Sequence, residues 1–244
     1  MIKTYNVAVK EIMIDTPDVK TVRFSLEGTG FTFKAGQFVM INVNLMKDNL
    51  LRKERRAYSI SSSPDNKDYF DITVRKENGG KVSTFLHNLK KGDIIEIDGP
   101  YGHFTLDDDT KKVVYIGAGT GIAPLMSMAR FACKNRLPIE QILIYTVRKA
   151  KDIIFKDEIL EMHRRFNNIK TLITVTRPED DDEWKGRTGR IDADLIMSLV
   201  KNLNDYLYYI CGSPELVKGI KQILLNMMID PFRVRQEVFV GTTD

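Results

Sequence analysis

The stretch that most constrains this chain is Val113–Pro124, VVYIGAGTGIAP. Val113, Val114, Tyr115 and Ile116 read as a short strand, apolar on both faces as in a covered parallel sheet. Gly117, Gly119 and Gly121 then allow a tight turn and close backbone approach. From Ile122 the pattern becomes helical, and Pro124 falls in a first turn, where a missing N–H is no loss. A strand, a Gly-rich turn and a helix N-terminus make a cradle for phosphate or pyrophosphate. The free N–H groups and the positive end of the helix dipole face the anion. The spacing is G-x-G-x-G, and Ile122 stands where the G-x-G-x-x-G dinucleotide fingerprint has its third glycine. The same residues also suit an ordinary strand-to-helix turn of an α/β domain.

The rhythm of the chain changes shortly before this stretch. From Tyr5 to about Asp98 it is β-rich. Tyr5-Val7-Val9 and Val22-Phe24-Leu26 alternate with polar neighbours, and 38–41, 69–74 and 94–97 are further strands. Gly28, Gly30, Gly36, Asn66 and Gly92 mark the turns between them. Short strands at this spacing predict a sandwich or closed barrel. One helix interrupts them, over about 83–89. After Asp107-Asp108-Asp109 strands and helices alternate. Strands are expected at 113–116, 141–147, 171–176, 206–210 and 233–240, with helices at 122–135, 152–166, 192–200 and 214–228. This is the βαβ pattern of a parallel sheet covered on both faces. The predicted fold class is therefore a β-barrel followed by a doubly wound α/β domain, divided as residues 1–107 and 108–244.

Composition removes several classes. No apolar run is long enough to span a bilayer, and MIKTYNVAVKEI lacks the apolar core of a signal peptide, so a cytoplasmic location is the default expectation. Cys133 and Cys211 are the only cysteines, which excludes a disulfide framework and an iron–sulfur centre held by four cysteines of this chain. The net charge of +4 does not argue for nucleic acid, but suits an acidic partner protein. His87, His103 and His163 are scattered, so no metal site is expected. Cys133 is read as packing, and His103 as a packing or hydrogen-bonding residue.

Ligands of a barrel joined to a doubly wound sheet are expected in the cleft between them and at the carboxyl ends of the parallel strands. Arg56-Ala57-Tyr58-Ser59, read as the start of a strand, offers a guanidinium fork for phosphate and, two residues on, a ring on the same side. An ordinary amphipathic strand within the basic run Arg52–Arg56 is the alternative. Gly80-Lys81-Val82-Ser83-Thr84 opens the barrel's helix. Ser83 or Thr84 either caps it, or its free N–H groups take a second pyrophosphate.

R-A-Y-S at 56–59, G-x-x-S at 80–83, G-P-Y-G-x-F at 99–104, G-A-G-T-G-I-A-P at 117–124, C-G-S-P at 211–214 and E-x-F at 237–239 occur in this order. Together they resemble the ferredoxin–NADP reductase family, from about Tyr5 to Val240. The resemblance implies an antiparallel Greek-key barrel that binds FAD and an α/β domain that binds NAD(P). Arg56, Ala57, Tyr58 and Ser59 would hold the flavin and its phosphate, with Val74 and Arg75 on the next flavin-side strand. Gly80, Val82, Ser83 and Thr84 would take the FAD pyrophosphate. Gly117, Gly119, Thr120 and Gly121 would cradle the pyridine nucleotide, with Cys211 and Gly212 beside the nicotinamide. Glu237 and Phe239 would lie near the flavin ring. Cys211, Glu237 and Phe239 are the catalytic candidates: a soft group at the reacting carbon, a proton relay and a ring that shields the flavin.

Arg148, Arg177 and Arg190 are expected at the ends of the second and third strands and in the following turn, where they resemble the set that binds a 2′-phosphate in NADPH-using bacterial members. NADPH is thus expected, with NADH possible. The implied activity is hydride transfer between NADPH and FAD, then single-electron transfer to a separate acidic carrier such as ferredoxin or flavodoxin, by a protein expected to be a monomer. An NADH-dependent reductase component of an oxygenase, or a flavin-bearing subunit of a larger electron-transfer complex, are the alternatives.

Overall fold

The computed structural model describes residues 2–47, 50–179 and 184–240. The first half curls one antiparallel sheet into a barrel. Its strands are β1 (Lys3–Thr16), β2 (Val19–Ser25), β3 (Phe38–Lys47), β4 (Leu50–Ser59), β5 (Tyr69–Arg75) and β6 (Ile94–Tyr101), in the order β4-β3-β6-β1-β2-β5. The two edges meet where Ile60 bridges Ile72 and the Ser61 N–H donates to the Asp71 carbonyl at 2.8 Å. The alternation in the sequence is the inside of this barrel. Val7, Val9, Val22, Phe24, Val39, Ile41, Phe70, Ile72, Ile95 and Ile97 form one core. The helix α1 (Lys81–Asn88) adds Val82 and Leu86 to that core, and its buried His87 ring hydrogen-bonds the Val74 carbonyl at 2.9 Å.

β4 corrects one expectation. Arg56–Ser59 ends this strand and does not begin it. β4 is a sheet edge paired with β3 alone along the ladder, and Arg52, Lys53 and Arg55 are exposed, so no apolar alternation announces it. Most of its charge is also neutralised locally: Lys53 pairs with Glu96 at 2.5 Å, Arg55 with Asp98 at 2.7 Å and Arg56 with Glu54 at 3.5 Å.

The second half is a parallel sheet of β7 (Lys112–Ala118), β8 (Glu140–Val147), β9 (Ile169–Val175), β10 (Arg187–Thr188), β11 (Leu207–Gly212) and β12 (Val234–Val238), in the order β10-β9-β8-β7-β11-β12. α2 (Ile122–Lys134) and α3 (Lys156–Arg165) cover one face, α4 (Ala193–Leu199) and α5 (Pro214–Asn226) the other. α3 begins four residues later than the pattern predicts. A 3-10 turn at Ala150–Asp152 and a left-handed Phe155 (φ 56°) precede it.

The chain runs outward from β7 to β10, then returns to place β11 on the other side of β7. β7 and β11 therefore flank the topological switch point, where the carboxyl ends of adjacent strands leave a crevice. The barrel is held against this sheet by Phe104, whose ring packs edge-on to Tyr209 at 5.3 Å, and by the Tyr209 hydroxyl, which donates to the Thr105 carbonyl at 2.8 Å.

Candidate functional site

A cleft of about 1000 Å³ opens between the two halves, over the switch point. Its sheet-side floor is the turn after β7, and the glycines of that turn serve different needs. Gly119 has φ +52°, a left-handed conformation that favours glycine. A Cβ on Gly121 would collide with the Cys211 carbonyl and lie 2.8 Å from the Gly212 Cα, so only glycine lets the turn meet the end of β11. A Cβ on Gly117 would lie 2.9 Å from the Leu125 side chain of α2. No side chain caps the 3-10 turn Gly119–Gly121 or α2, so its leading N–H groups have no side-chain partner at the cleft floor. The buried Tyr145 hydroxyl braces the turn by donating to the Gly119 carbonyl at 3.1 Å.

The barrel supplies the opposite wall: Arg56, Ala57, Tyr58 and Ser59 from the end of β4, Thr73 and Arg75 from β5, and Ser83 from α1. The Ser83 hydroxyl does not cap its helix. It donates to the Gly80 carbonyl at 3.1 Å and accepts from the Glu77 N–H at 3.1 Å, which folds the Glu77–Gly80 turn and leaves the helix N-terminus without a side-chain cap. Arg75 spans towards the other half: a Cβ on Gly119 would lie 3.8 Å from its Nη2.

The third wall is the last strand. β12 sets Glu237 beside Cys211 in register, and the Phe239 N–H donates to the Gly212 carbonyl at 2.8 Å. Ser59 of the barrel stands close enough to the Glu237 carboxyl to favour its charged form. Burial pushes Glu237 up to about 7, against which Ser59 acts. Glu237 Oε2 and Thr146 Oγ1 are buried without a hydrogen-bond partner, Arg75 Nε is buried 3.4 Å from an Asp18 carboxylate oxygen, and all three residues line this cleft. Orphaned polar atoms are rare in folded proteins and costly unless something completes them. The lining sets Arg56, Arg75, Arg148 and Arg190 among Ser, Thr and Gly residues, a composition that suits a polar, anionic ligand.

Of the residues singled out from the sequence, Arg56, Ala57, Tyr58, Ser59, Arg75, Ser83, Gly119, Thr120, Gly121, Arg148, Arg190, Gly212, Glu237 and Phe239 line the cleft together. The others lie outside its lining. Val74 and Val82 are barrel core, and Gly80 and Thr84 lie outside the lining. Cys211 is fully buried in the core under α2, where desolvation holds its thiol well above its ordinary range. Arg177 is exposed and outside the lining, although its N–H donates to the Arg148 carbonyl at 2.8 Å. Among the described residues no acid pairs with Arg148 or Arg190. Cys133 is buried with its sulfur 3.5 Å from Gln141 Nε2, and His103, read as a packing or hydrogen-bonding residue, is exposed, which counts against packing. Thr73, Thr146, Thr176 and Asp152 also line the cleft. A lone Thr or Asp at a strand end carries no sequence signal, and only the parallel topology would have drawn attention to them.

Residues 6–106 match the family model of an oxidoreductase FAD-binding domain, and residues 115–222 that of an oxidoreductase NAD-binding domain. Ferredoxin–NADP reductase B of Sorangium cellulosum is 31% identical over 215 residues, covering 85% of this chain and 86% of that protein. The glycine betaine monooxygenase reductase subunit of Pseudomonas aeruginosa is 30% identical over 95% of this chain, which spans only 63% of that protein's length. Among solved structures, the FAD/NAD-binding domain of nitric oxide dioxygenase from Vibrio cholerae superposes with a TM-score of 0.84 at 23% identity, covering 96% of this chain and 98% of that one. A ferredoxin NADP+ reductase from Neisseria gonorrhoeae with bound FAD and NADP does so with a TM-score of 0.80, also at 23% identity, covering 97% of this chain and 98% of that one. The barrel, the switch-point cleft and two matched domains shared with a relative along most of both lengths lead to one conclusion: this chain belongs to the ferredoxin–NADP reductase family.

Proposed function

We propose that this protein transfers a hydride between NADPH and FAD, and single electrons between FAD and a separate carrier. The observation that carries the reading is one cleft lined from both halves, by Arg56, Tyr58, Ser59 and Arg75 from the barrel and by the turn Gly119–Gly121, Arg148 and Arg190 from the sheet side. When bound, FAD accepts two electrons as a hydride and releases them one at a time.

The residues fit that group. On this reading residues 1–107 hold FAD and 108–244 the pyridine nucleotide. Arg56 presents a guanidinium for phosphate, and Tyr58, desolvated enough to hold its phenol proton, offers a ring and a donor. The N-terminus of α1, entered through Gly80, takes the FAD pyrophosphate on N–H groups that no side chain satisfies. The turn Gly119–Gly121 does the same for the pyridine nucleotide. Glu237, lifted by burial to about 7, keeps its proton below neutral pH and shares it about evenly at neutrality, beside Ser59 and within the cleft. Phe239 closes the cleft against water. Hydride transfer needs its two carbon and nitrogen centres about 3–3.5 Å apart, so the joint between the halves is as much part of the site as its lining.

Arg148 and Arg190, both in the lining and unpaired with acid among the described residues, favour the 2′-phosphate of NADPH over the hydroxyl of NADH. A second reading has one observation on its side. Asp152 also lines the cleft and suits a 2′-hydroxyl, which fits an NADH-dependent reductase component of an oxygenase. On either reading the acceptor is a separate carrier, ferredoxin or flavodoxin in the first and an oxygenase component in the second. We infer a monomer working in the cytoplasm; no helix among the described residues is long and apolar enough to cross a membrane. Steady-state kinetics of dye reduction with NADPH and NADH test the choice. A higher kcat/KM for NADPH supports the first reading, and a clear preference for NADH replaces it with the second.

A further inference from the structure

We propose that Ser127 and Arg130 on α2 are positioning residues that set the separation between the two cofactor-binding halves. This rests on the hydride-transfer reading above, and adds to it a fixed strut between the dinucleotide turn and the flavin strand.

α2 starts directly after Gly121, so its axis is anchored at the nucleotide end. Residues 127, 130 and 134 fall on one stripe of this helix, at i, i+3 and i+7. All three reach the barrel segment 61–66, which begins two residues after Ser59. The Ser127 hydroxyl, fully buried, donates to the Ser62 carbonyl at 2.7 Å and accepts from the Gly36 N–H at 3.4 Å. Arg130 Nη1 donates to the Ser61 carbonyl at 2.5 Å. Lys134 Nζ lies 3.0 Å from both Asp65 and the Asn66 side-chain carbonyl. The inner two contacts are to main-chain carbonyls. They fix backbone and not merely side chains, and that backbone continues into the residues assigned to the flavin.

Arg130 cannot drift on its own side either. Its Nε and Nη2 form a fork with Glu158 of α3 at 2.7 and 2.5 Å, and the Phe155 ring lies 4.4 Å from the guanidinium carbon. The barrel also answers its charge, since Asp71 and Asp15 both feel the Arg130 guanidinium. One half-buried cation is thus shared by carboxylates from both halves, and a fork of this kind is rigid and directional. There is no slack beside it: a Cβ on Gly36 would meet the Phe104 carbonyl and the Met128 side chain of α2.

The test uses flavin-loaded wild type, Arg130→Ala, Arg130→Lys and Ser127→Ala. The rate of flavin reduction by saturating NADPH is measured in a single turnover, together with KM and the primary isotope effect with deuterated NADPH. Arg130→Ala is expected to slow reduction about 10- to 100-fold with a changed isotope effect, the signature of misplaced reactants. KM is expected to move by less than about 3-fold, because no nucleotide contact is lost. Arg130→Lys is expected to recover part of the rate. Ser127→Ala, which removes one buried hydroxyl, is expected to show a smaller loss of the same kind and carries the test should Arg130→Ala not fold. A variant that melts earlier yet keeps the wild-type reduction rate and isotope effect would make these residues merely structural and overturn the proposal. Should wild type itself take up no flavin, the functional reading fails separately. Hydrogen exchange over residues 59–66 then decides on the strut, with faster exchange in Arg130→Ala expected and unchanged exchange refuting it.

Discussion

Replacing Glu237 by Gln should stabilise the protein at alkaline pH and leave it unchanged in acid. Glu237 pairs in register with Cys211 and its carboxyl feels Ser59, and its Oε2 has no hydrogen-bond partner. Burial lifts it from 4.5 to about 7 in the folded chain, and the unfolded chain returns it to its ordinary value. Below about pH 4.5 both states carry the proton and the group is neutral to folding. Between 4.5 and 7 the unfolded chain has lost the proton while the folded chain keeps it, so stability falls as pH rises. Above 7 the loss is complete and constant. A shift of this size, at about 1.4 kcal/mol per pH unit, amounts to about 3 kcal/mol. For a chain of this length that corresponds to roughly 6–12 °C in Tm. Gln keeps the shape but cannot ionise, so it escapes the loss. Thermal unfolding of the two proteins, side by side from pH 4 to pH 8.5 with the same flavin loading, measures the gap. It should be near zero at pH 4, open between pH 5 and 7, and level off above. A gap independent of pH, or one that widens toward acid, would show that Glu237 titrates as an ordinary carboxylate and that the cleft does not hold its proton.

Gly121→Ala should cost about 1–3 kcal/mol, because its Cβ meets the backbone of Cys211 and Gly212 and neither can yield, and calorimetry together with KM for NADPH would report both losses. Arg56→Ala should release FAD on gel filtration; retention of stoichiometric flavin would remove Arg56 from the phosphate site. Arg190→Ala should raise KM for NADPH roughly 10-fold or more while sparing NADH, whereas Arg177→Ala, outside the cleft lining, should affect the two nucleotides alike.

Much of this was legible in the residues, for identifiable reasons. Val7-Val9 and Val22-Phe24 alternate because one face of each strand is barrel core and the other is not. Val113–Ile116 is apolar throughout because helices cover both faces of β7. Gly121 was recoverable because its role is local in sequence, at a turn between strand and helix. What escaped depends on neighbours far along the chain. β4 is an edge whose charges pair outward with Glu96 and Asp98, so it carries no period of two, and Arg56–Ser59 was placed at the wrong end of it. β10, only Arg187–Thr188, is too short to show a pattern. Cys211 could be assigned to the strand end from its motif, but whether its thiol faces the cleft or the core depends on strand alternation against α2, and it faces the core. Thr146 carries no signal at all until β8 is set beside β7. Within the basic run Arg52–Arg56, Lys53 and Arg55 meet Glu96 and Asp98, acids that only the fold brings near, while Arg56 meets Glu54 two residues back.

The central claim is that one cleft holds a flavin from the barrel side and a nicotinamide from the sheet side, close enough to react. Anaerobic mixing of the purified, FAD-loaded protein with a stoichiometric amount of NADPH, followed by the flavin's visible absorbance, tests it directly. The account predicts tight uptake of FAD and bleaching of that absorbance within a single turnover. Failure to retain FAD, or a flavin that stays oxidised in the presence of both NADPH and NADH, would contradict it.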